Sequence, residues 1–465
     1  MKKLFLSTIL VVASSSAFAG GLMTNTNYHI AFDRMFARGA TTEIDGVFSN
    51  PAGLAWGHEG LQFSLNFQKP WQRRNIEYNG TTYEGVASAP IVPALFASYK
   101  KDRIALSGMI GIVGSGGFVQ YDDGVPMFNV LMGTIITKMT QTLNLYTKGF
   151  APIVTPDQYD SEMKGKQYIY GGQFNFTYRI IDCLSAAVGL RANYYDGYYR
   201  GHIYANHSTI GNLASLSLDV DQKGWGFTPI VSLNYHQGPL TLSARYEFRT
   251  KISTKNETNS LQTSLNSAQL IENPLLQLVA AGAMPAEQAV ETATQIKTKV
   301  EELLHPYIAP FEDGVNTRYD MPALLAVAAG YEFTPKLRAA LEYHFFDDKN
   351  AKMGTEGNYR QDHLTHGTHE FLAGVEYDIN DKFTVSCGGQ RTDYGLSDDY
   401  QTNTSFACDS YSVGLGGAWN INEKMRLNVS YFCSLYSDYE KQASYGTETY
   451  SRTNHVIGIG LDYKF

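Results

Sequence analysis

The chain closes on Asn454-His455-Val456-Ile457-Gly458-Ile459-Gly460-Leu461-Asp462-Tyr463-Lys464-Phe465. Ile457, Ile459, Leu461, Tyr463 and Phe465 share one parity, and Gly458, Gly460, Asp462 and Lys464 share the other. Side chains alternate faces along a strand, so one face is apolar with an aromatic end and the other is small or charged. A strand that stops on a terminal Phe, in a chain opening with a secretion leader, predicts the last strand of an outer-membrane β-barrel.

The opposite end carries that leader. Met1-Lys2-Lys3 precedes an apolar run from Leu4 to Val12, and Ala17-Phe18-Ala19 has the small-x-small form of a cleavage site. Residues 1–19 are therefore expected to be removed. No Cys follows the site, so no lipid anchor is expected. Beyond residue 19 no apolar run reaches the roughly 20 residues that a membrane helix needs. A mean hydropathy of -0.24 suits alternating strands. So do 32 Tyr, 24 Phe and 43 Gly, which are heavy for a soluble domain. A net charge of -8 offers no basic surface for nucleic acid. The four cysteines, Cys183, Cys387, Cys408 and Cys433, contain no CxxC pair; they read either as isolated small apolar residues or, in an oxidising compartment, as partners in a disulfide.

Alternation and turn residues place about 14 strands near 61–79, 90–100, 103–119, 166–179, 183–205, 214–235, 239–252, 319–333, 336–347, 368–379, 382–394, 410–420, 424–438 and 454–465. Short links at Lys101-Asp102, Ile181-Asp182, Gln237-Gly238, Thr334-Pro335, Asn380-Asp381 and Asn422-Glu423 carry turn-forming residues. Long links fall near 80–89, 120–165, 206–213, 253–318, 348–367, 395–409 and 439–453. Short and long alternate throughout, as periplasmic turns and external loops do in such barrels. Two of the long loops carry helical patterning. One has Met127, Phe128, Val130, Leu131, Ile135 and Met139. The other runs from Pro285 through Ala289, Ile296, Val300 and Leu303 and is expected to stop at Pro306. Their apolar faces serve either as a surface for lipid-like ligands or as a lid of hairpins packed on each other, and the two readings are compatible.

Parity also sorts the charges. Leu242, Ala244, Tyr246 and Phe248 oppose Ser243, Arg245, Glu247 and Arg249. Leu337, Ala339, Leu341 and Tyr343 oppose Arg338, Glu342 and His344. An Arg on the lipid face near the midplane would cost about 2–4 kcal/mol, so Arg245 and Arg338 are expected in the lumen. They either pair with Glu247 and Glu342 on the wall or, with Arg191, hold the charged group of a ligand.

Between the leader and the first strand lie Ala37-Arg38-Gly39-Ala40 and Ser49-Asn50-Pro51-Ala52-Gly53-Leu54, followed by Leu61-Gln62-Phe63-Ser64-Leu65-Asn66. A barrel of about 14 strands is wide enough to need its lumen filled or left as a channel. A compact apolar segment is a natural plug. This segment resembles the N-terminal hatch of the FadL/TodX-type outer-membrane transporters of long-chain fatty acids and aromatic hydrocarbons. The resemblance covers the whole chain as architecture and about residues 20–70 as motif. It implies a leader (1–19), a hatch (20–60) and a transmembrane all-β antiparallel barrel (61–465). It also implies gating through Arg38, Gly39, Asn50, Pro51 and Ala52, ligand capture on external loops, an interior pocket, and a side exit at a kinked third strand. Gly108, Gly111, Gly114, Gly116 and Gly117 stand in that strand, and glycine marks bulges and bends.

No G-x-S-x-G and no P-loop occur. His363, His366, His369 and Glu370 sit on a loop-to-strand stretch with Gly367, which argues against a helical metal site. No catalytic residue, metal or cofactor is expected. The function expected is passive uptake of fatty acids or other hydrophobic small molecules across the outer membrane of a Gram-negative bacterium. A monomer is expected, in contact with outer-membrane lipids and lipopolysaccharide and assembled by the barrel-assembly machinery through Phe465. The alternatives are an outer-membrane lipid hydrolase or acyltransferase, and a general porin or adhesin.

Overall fold

The computed structural model describes residues 28–89 and 91–465. The expected leader, 1–19, and the start of the expected hatch, 20–27, lie outside the described residues. Among the described residues, fourteen antiparallel strands close into a barrel. β1 is Gly60–Tyr78, β2 runs as Thr81–Ser88 and Val92–Lys101, and β3 is Ile104–Tyr121. β4 (Gln158–Ile181), β5 (Leu184–His207) and β6 (Gly211–Gln237) follow. β7 runs as Leu240–Glu247 and Ser253–Leu265, and β8 as Asn316–Tyr319 and Leu324–Thr334. β9 is Leu337–Phe346, β10 Thr368–Asp378, β11 Phe383–Asp393 and β12 Ser410–Asn420. β13 runs as Met425–Tyr436 and Tyr439–Ala443, and β14 is Gly446–Lys464. The ring closes where β14 pairs with β1, from Gln62 opposite Lys464 to Tyr78 opposite Glu448.

The two faces obey the parity of the sequence. Ile457 and Ile459 are half exposed toward lipid, while Val456 and Asp462 point inward and are buried. At the periplasmic rim Phe465 meets the Phe63 and Tyr463 rings edge to face. Leu242, Tyr246 and Phe248 face out, and Arg245 and Glu247 face in.

The six short turns lie where turn chemistry placed them, but three of the long links are strands. Asn79 and Gly80 both take positive φ, 50° and 74°. They form a tight hairpin turn that sends 81–88 straight back along β1. Residues 206–213 and 439–453 are likewise hairpins turned at 208–210 and 444–445. A crossing needs about 9–11 residues. β4, β5 and β6 have 24, 24 and 27, so they project far beyond the bilayer. Their outer ends support the lid.

The lid is helical, as its periodicity predicted. α3 is Pro126–Tyr146, α4 is Asn273–Ala280 and α5 is Ala286–Ile308, with α1 (Ile30–Met35) and α2 (Gly46–Ser49) in the hatch. α5 runs past Pro306, which occupies its last turn and so interrupts little of the hydrogen-bond ladder. Ile136 and Leu143 of α3 pack with Leu275 of α4 and Ile296 and Val300 of α5 in one buried cluster. The helices thus bury one apolar face against each other and the outer strands, while Leu145, Leu276 and Val290 stay exposed.

Candidate functional site

The hatch fills the lower lumen and is bound to the wall by polar contacts. α1 begins at His29, whose Nδ1 accepts the Ala31 N–H. Asn50 then organises the second half. Its Oδ1 accepts from Gly53 N at 3.1 Å, and its Nδ2 donates to Thr41 O at 2.9 Å and to Asn234 Oδ1 on β6 at 2.7 Å. Pro51 starts the short helix Pro51–Trp56 with its fixed φ. A Cβ at Gly53 would run into Asn50 and the Thr41 carbonyl, which explains the glycine. The carbonyls exposed by this path are met by wall side chains. Gln173 and Asn175 donate to Val47 O, Thr177 to Pro51 O, Ser185 to Ala52 O and Arg245 to Phe48 O.

Arg38 and Gly39 form the second anchor. The Arg38 guanidinium grips Asp45 through Nε (2.6 Å) and Nη2 (2.9 Å), in the paired geometry that favours arginine. The amides of Arg38 and Gly39 both donate to Glu342 Oε2 on β9, at 2.8 and 2.7 Å. A Cβ on Gly39 would lie 2.6 Å from Glu342 Oε1. Opposite, α1 lies directly on the wall, because a Cβ at Gly374, Gly388 or Gly414 would strike the Met35 or Asp33 carbonyl. Sequence reading assigned these three wall glycines no role. Their lumen parity was the available clue.

The wall itself is interrupted between β2 and β3. β2 pairs with β3 from Lys101–Ile104 to Ala94–Gly111, and again from Ser88–Phe118 to Gly85–Tyr121. From Ile112 to Gly116, β3 has no ladder partner in β2 among the described residues. On its other side β3 bulges twice against β4, between Ile112 and Gly114 and between Ser115 and Gly117. Gly117 takes φ +77°, open to glycine and costly for other residues. Gly114, Gly116 and Gly117 thus stand at the irregularity, whereas Gly108 and Gly111 lie in regular ladder. Val113, the extra residue of the first bulge, is fully buried in an apolar cluster with Tyr28, Phe48, Phe96, Met109, Ile169 and Tyr195. The apolar interior therefore touches the hatch on one side and the broken wall on the other.

Outside, α3 and the upper strands frame an apolar groove of 90 Å³. Met127, Phe128, Leu131, Tyr199, Leu218 and Phe311 line it, with Lys164 and Arg200 at its edge.

The expected ligand arginines divide. Arg191 and Arg245 meet at Glu247, and both guanidinium groups stand over the Phe48 ring of the hatch, at 5.5 and 5.2 Å. Arg338 lies apart toward the periplasmic turn. Its Nε binds Glu376 at 2.8 Å and its Nη1 binds Asp378 at 2.7 Å. Glu376 also pairs with Arg34 of α1. In the histidine-rich stretch, His369 pairs with Tyr343 and His366 with the Gly367 carbonyl. No metal-ligating cluster occurs among the described residues.

One Ser, His and Asp do meet. Ser64 Oγ lies 3.0 Å from His29 Nε2, which lies 3.1 Å from Asp462 Oδ1. Nucleophile and acid share one ring nitrogen, and Ser64 also binds Asp462 directly at 2.6 Å. A hydrolytic triad needs the serine and the acid on opposite ring nitrogens. Here Nδ1 is already committed to Ala31 N–H, so the trio fastens the hatch to β1 and β14.

Sequence reading missed three arginines. Arg74, Arg360 and Arg452 are buried in the outer lumen, 2%, 5% and 9% exposed. Parity along β1 assigns Arg74 inward. Arg452 fell before the expected start of β14, and Arg360 belongs to a loop.

An outer membrane protein beta-barrel domain model matches residues 275–465. Among solved structures, a FadL homologue of Pseudomonas aeruginosa superposes with a TM-score of 0.63 at 13% identity, covering 96% of this chain and 100% of that one. The toluene transporter TodX of Pseudomonas putida gives 0.59 at 12%, covering 96% and 100%. The toluene transporter TbuX of Ralstonia pickettii gives 0.52 at 14%, covering 90% and 94%. A sequence comparison with curated proteins finds no match. The shared feature is architecture, and the chain has the outer-membrane β-barrel fold of the FadL/TodX-type transporters.

Proposed function

We propose that this protein is a passive outer-membrane transporter of hydrophobic small molecules. The ligand lands in the groove beside α3, enters the apolar interior above the hatch, and leaves sideways between β2 and β3. The observation that carries the reading is the wall gap from Ile112 to Gly116, set beside a buried apolar cluster that also contains hatch residues. A continuous ladder would satisfy the backbone at no loss to the barrel, so two bulges and a broken strand there need a purpose. The hatch supports the same reading. Its backbone is held to the wall by hydrogen bonds of about 1 kcal/mol net each, which a filled interior could exchange one at a time, while its Phe32, Phe36 and Phe48 side chains pack on apolar wall residues. An adhesin has no use for a hatch sealed against an interior apolar cluster, and a general porin would leave the lumen open and wet.

The test is uptake. Cells carrying the protein should accumulate a labelled long-chain fatty acid or an aromatic hydrocarbon faster than cells lacking it. A Gly114→Val, Gly116→Val protein should fold but not deliver ligand. Equal uptake with and without the protein, for both ligand classes, overturns the proposal.

A further inference from the structure

We infer that the outer tip of the lid, where α3 ends and the chain turns back through residues 147–154, docks onto the surface of an anionic lipid vesicle outside the cell. The inference goes beyond the transport reading, because it concerns a surface away from the groove and the lumen. Leu145, Tyr146, Phe150 and Ile153 of this tip are 79%, 46%, 50% and 53% exposed. They are not needed to hold it together. Leu143, Ala151 and Val154 seat the tip in the buried cluster of the lid. Polar side chains fix its backbone. Thr140 Oγ1 accepts the Val154 N–H at 3.0 Å, and Thr147 Oγ1 accepts the Ala151 N–H at 2.9 Å. Asn144 Nδ2 donates to Ala151 O at 2.6 Å. Gly149, at φ +89°, turns the chain, and its N–H meets Asn144 O at 2.8 Å. A frame already bonded in this way displays four large apolar side chains, and such a patch marks a surface that meets something apolar.

The lipid of the protein's own membrane does not reach the tip. Tyr170, Tyr194 and Trp225 share one rung across β4, β5 and β6, at the level where an aromatic girdle meets the outer interface. Asn206, whose carbonyl accepts the Asp157 N–H just past the tip, lies about 40 Å further along β5. Even at a strand tilt of about 45°, that is about 30 Å above the girdle. Charge selects the occupant. Between Asp123 and Asp157 the chain carries Lys138 and Lys148 and no acid, in a protein of net charge -8. Both lysines are exposed, and neither forms an ion pair among the described residues. Large apolar side chains beside lysines without acids make up the interfacial face of a protein that lies on a membrane surface. Each lysine adds about fivefold to binding at an anionic surface. A second copy of this chain fits less well, because a two-fold contact at the tip would set the same lysines against each other.

The experiment places the full-length protein in phosphatidylcholine nanodiscs and follows its co-flotation with added vesicles. Wild-type discs should float with vesicles of mixed phosphatidylglycerol and phosphatidylcholine, less so at high salt, and not with vesicles of phosphatidylcholine alone. The triple variant Leu145→Ser, Phe150→Ser, Ile153→Ser should bind the mixed vesicles at least tenfold more weakly. Lys138→Gln with Lys148→Gln should bind them about twenty-fivefold more weakly. All five side chains are exposed, so both variants should keep the heat-modifiable mobility of the folded barrel. Leu276→Ser with Val290→Ser, exposed elsewhere on the lid, should bind as the wild type does. The comparison of two vesicle types needs no variant to fold. Wild-type discs that bind no better than empty discs overturn the inference. So does equal binding to the two vesicle types, or a folded triple variant that keeps full binding. Pairing of discs without vesicles, lost in the triple variant, overturns it in favour of a second copy. Uptake of a dissolved ligand judges the transport reading separately, and that reading stands whichever way the vesicles fall.

Discussion

Replacing Asn50 by Ala should loosen the hatch without unfolding the barrel. The Asn50 side chain is fully buried and makes three hydrogen bonds, to Gly53 N, Thr41 O and Asn234 Oδ1. Each lost bond removes about 1 kcal/mol net, and each buried partner left alone costs more, so about 3–5 kcal/mol is a fair total. Two of the bonds hold the Asn50-Pro51 turn together and the third ties it to β6. The bond to β6, with the Asn234 side chain it leaves unpaired, falls directly on hatch docking. A docking loss of about 1–3 kcal/mol raises the undocked population about five- to a hundredfold or more. None of the strand pairings passes through Asn50, so the heat-modifiable mobility of the folded barrel on a gel should stay as in the wild type. Conductance of the purified protein in planar bilayers reads the hatch directly. N50A should show frequent or larger openings where the wild type stays closed. A folded N50A barrel with wild-type conductance and wild-type uptake would refute the assignment of this turn as the element that seats the plug.

Three further outcomes follow from other contacts. Gly388→Val places side-chain atoms where the Met35 carbonyl lies, so α1 should lift from the wall and conductance should rise while the barrel stays folded. Gly114→Val with Gly116→Val restores strand preference at the bulges; lateral delivery of a labelled ligand into the bilayer should fall at least tenfold, and a normal rate would sink the side exit. Asp348, just outside β9, is pushed up to about 7 by burial and then by Glu370 and Asp347, against hydrogen bonds from Thr368. Its folded pKa exceeds its unfolded one, so its stabilising effect is full at pH 4 and is lost as pH rises through 7. Hydrogen-exchange protection factors of residues 347–367, which remove the intrinsic pH dependence of exchange, should fall over that range in the wild type and stay flat in Asp348→Asn.

The barrel was legible because its rules are local. Alternation decides which face each residue takes, and the order of short and long links fixes which end is which. Both are properties of neighbours in sequence. The misreadings come from the same source. Thr81–Ser88 contains Gly85 and Glu84 and weak alternation, so it read as loop. It is a strand because Asn79-Gly80 fixes the register and 71–78 already stands beside it as a template. The wall glycines at 374, 388 and 414 looked like ordinary barrel glycines. Their reason is α1, whose Met35 and Asp33 carbonyls they meet from the far end of the chain, and no spacing rule connects the two.

The arginines carry that argument to the site. Parity put Arg191, Arg245 and Arg338 in the lumen, and the structure does too. Parity could not supply their partners. Glu247 serves Arg191 and Arg245 because β5 lies two strands from β7 and the side chains bridge across β6, a distance set by register. Arg338 reaches Glu376 because β9 and β10 place the two directly opposite. A cation is available to a ligand only if the fold leaves it without an acid, and that is decided by pairings across strands, 38 residues apart for Arg338 and Glu376 and 56 for Arg191 and Glu247. Arg74 and Arg452 face each other across the closing pair of strands, directly opposite in register. Two inward arginines thus share one rung of the wall, a juxtaposition that parity along either strand alone does not show.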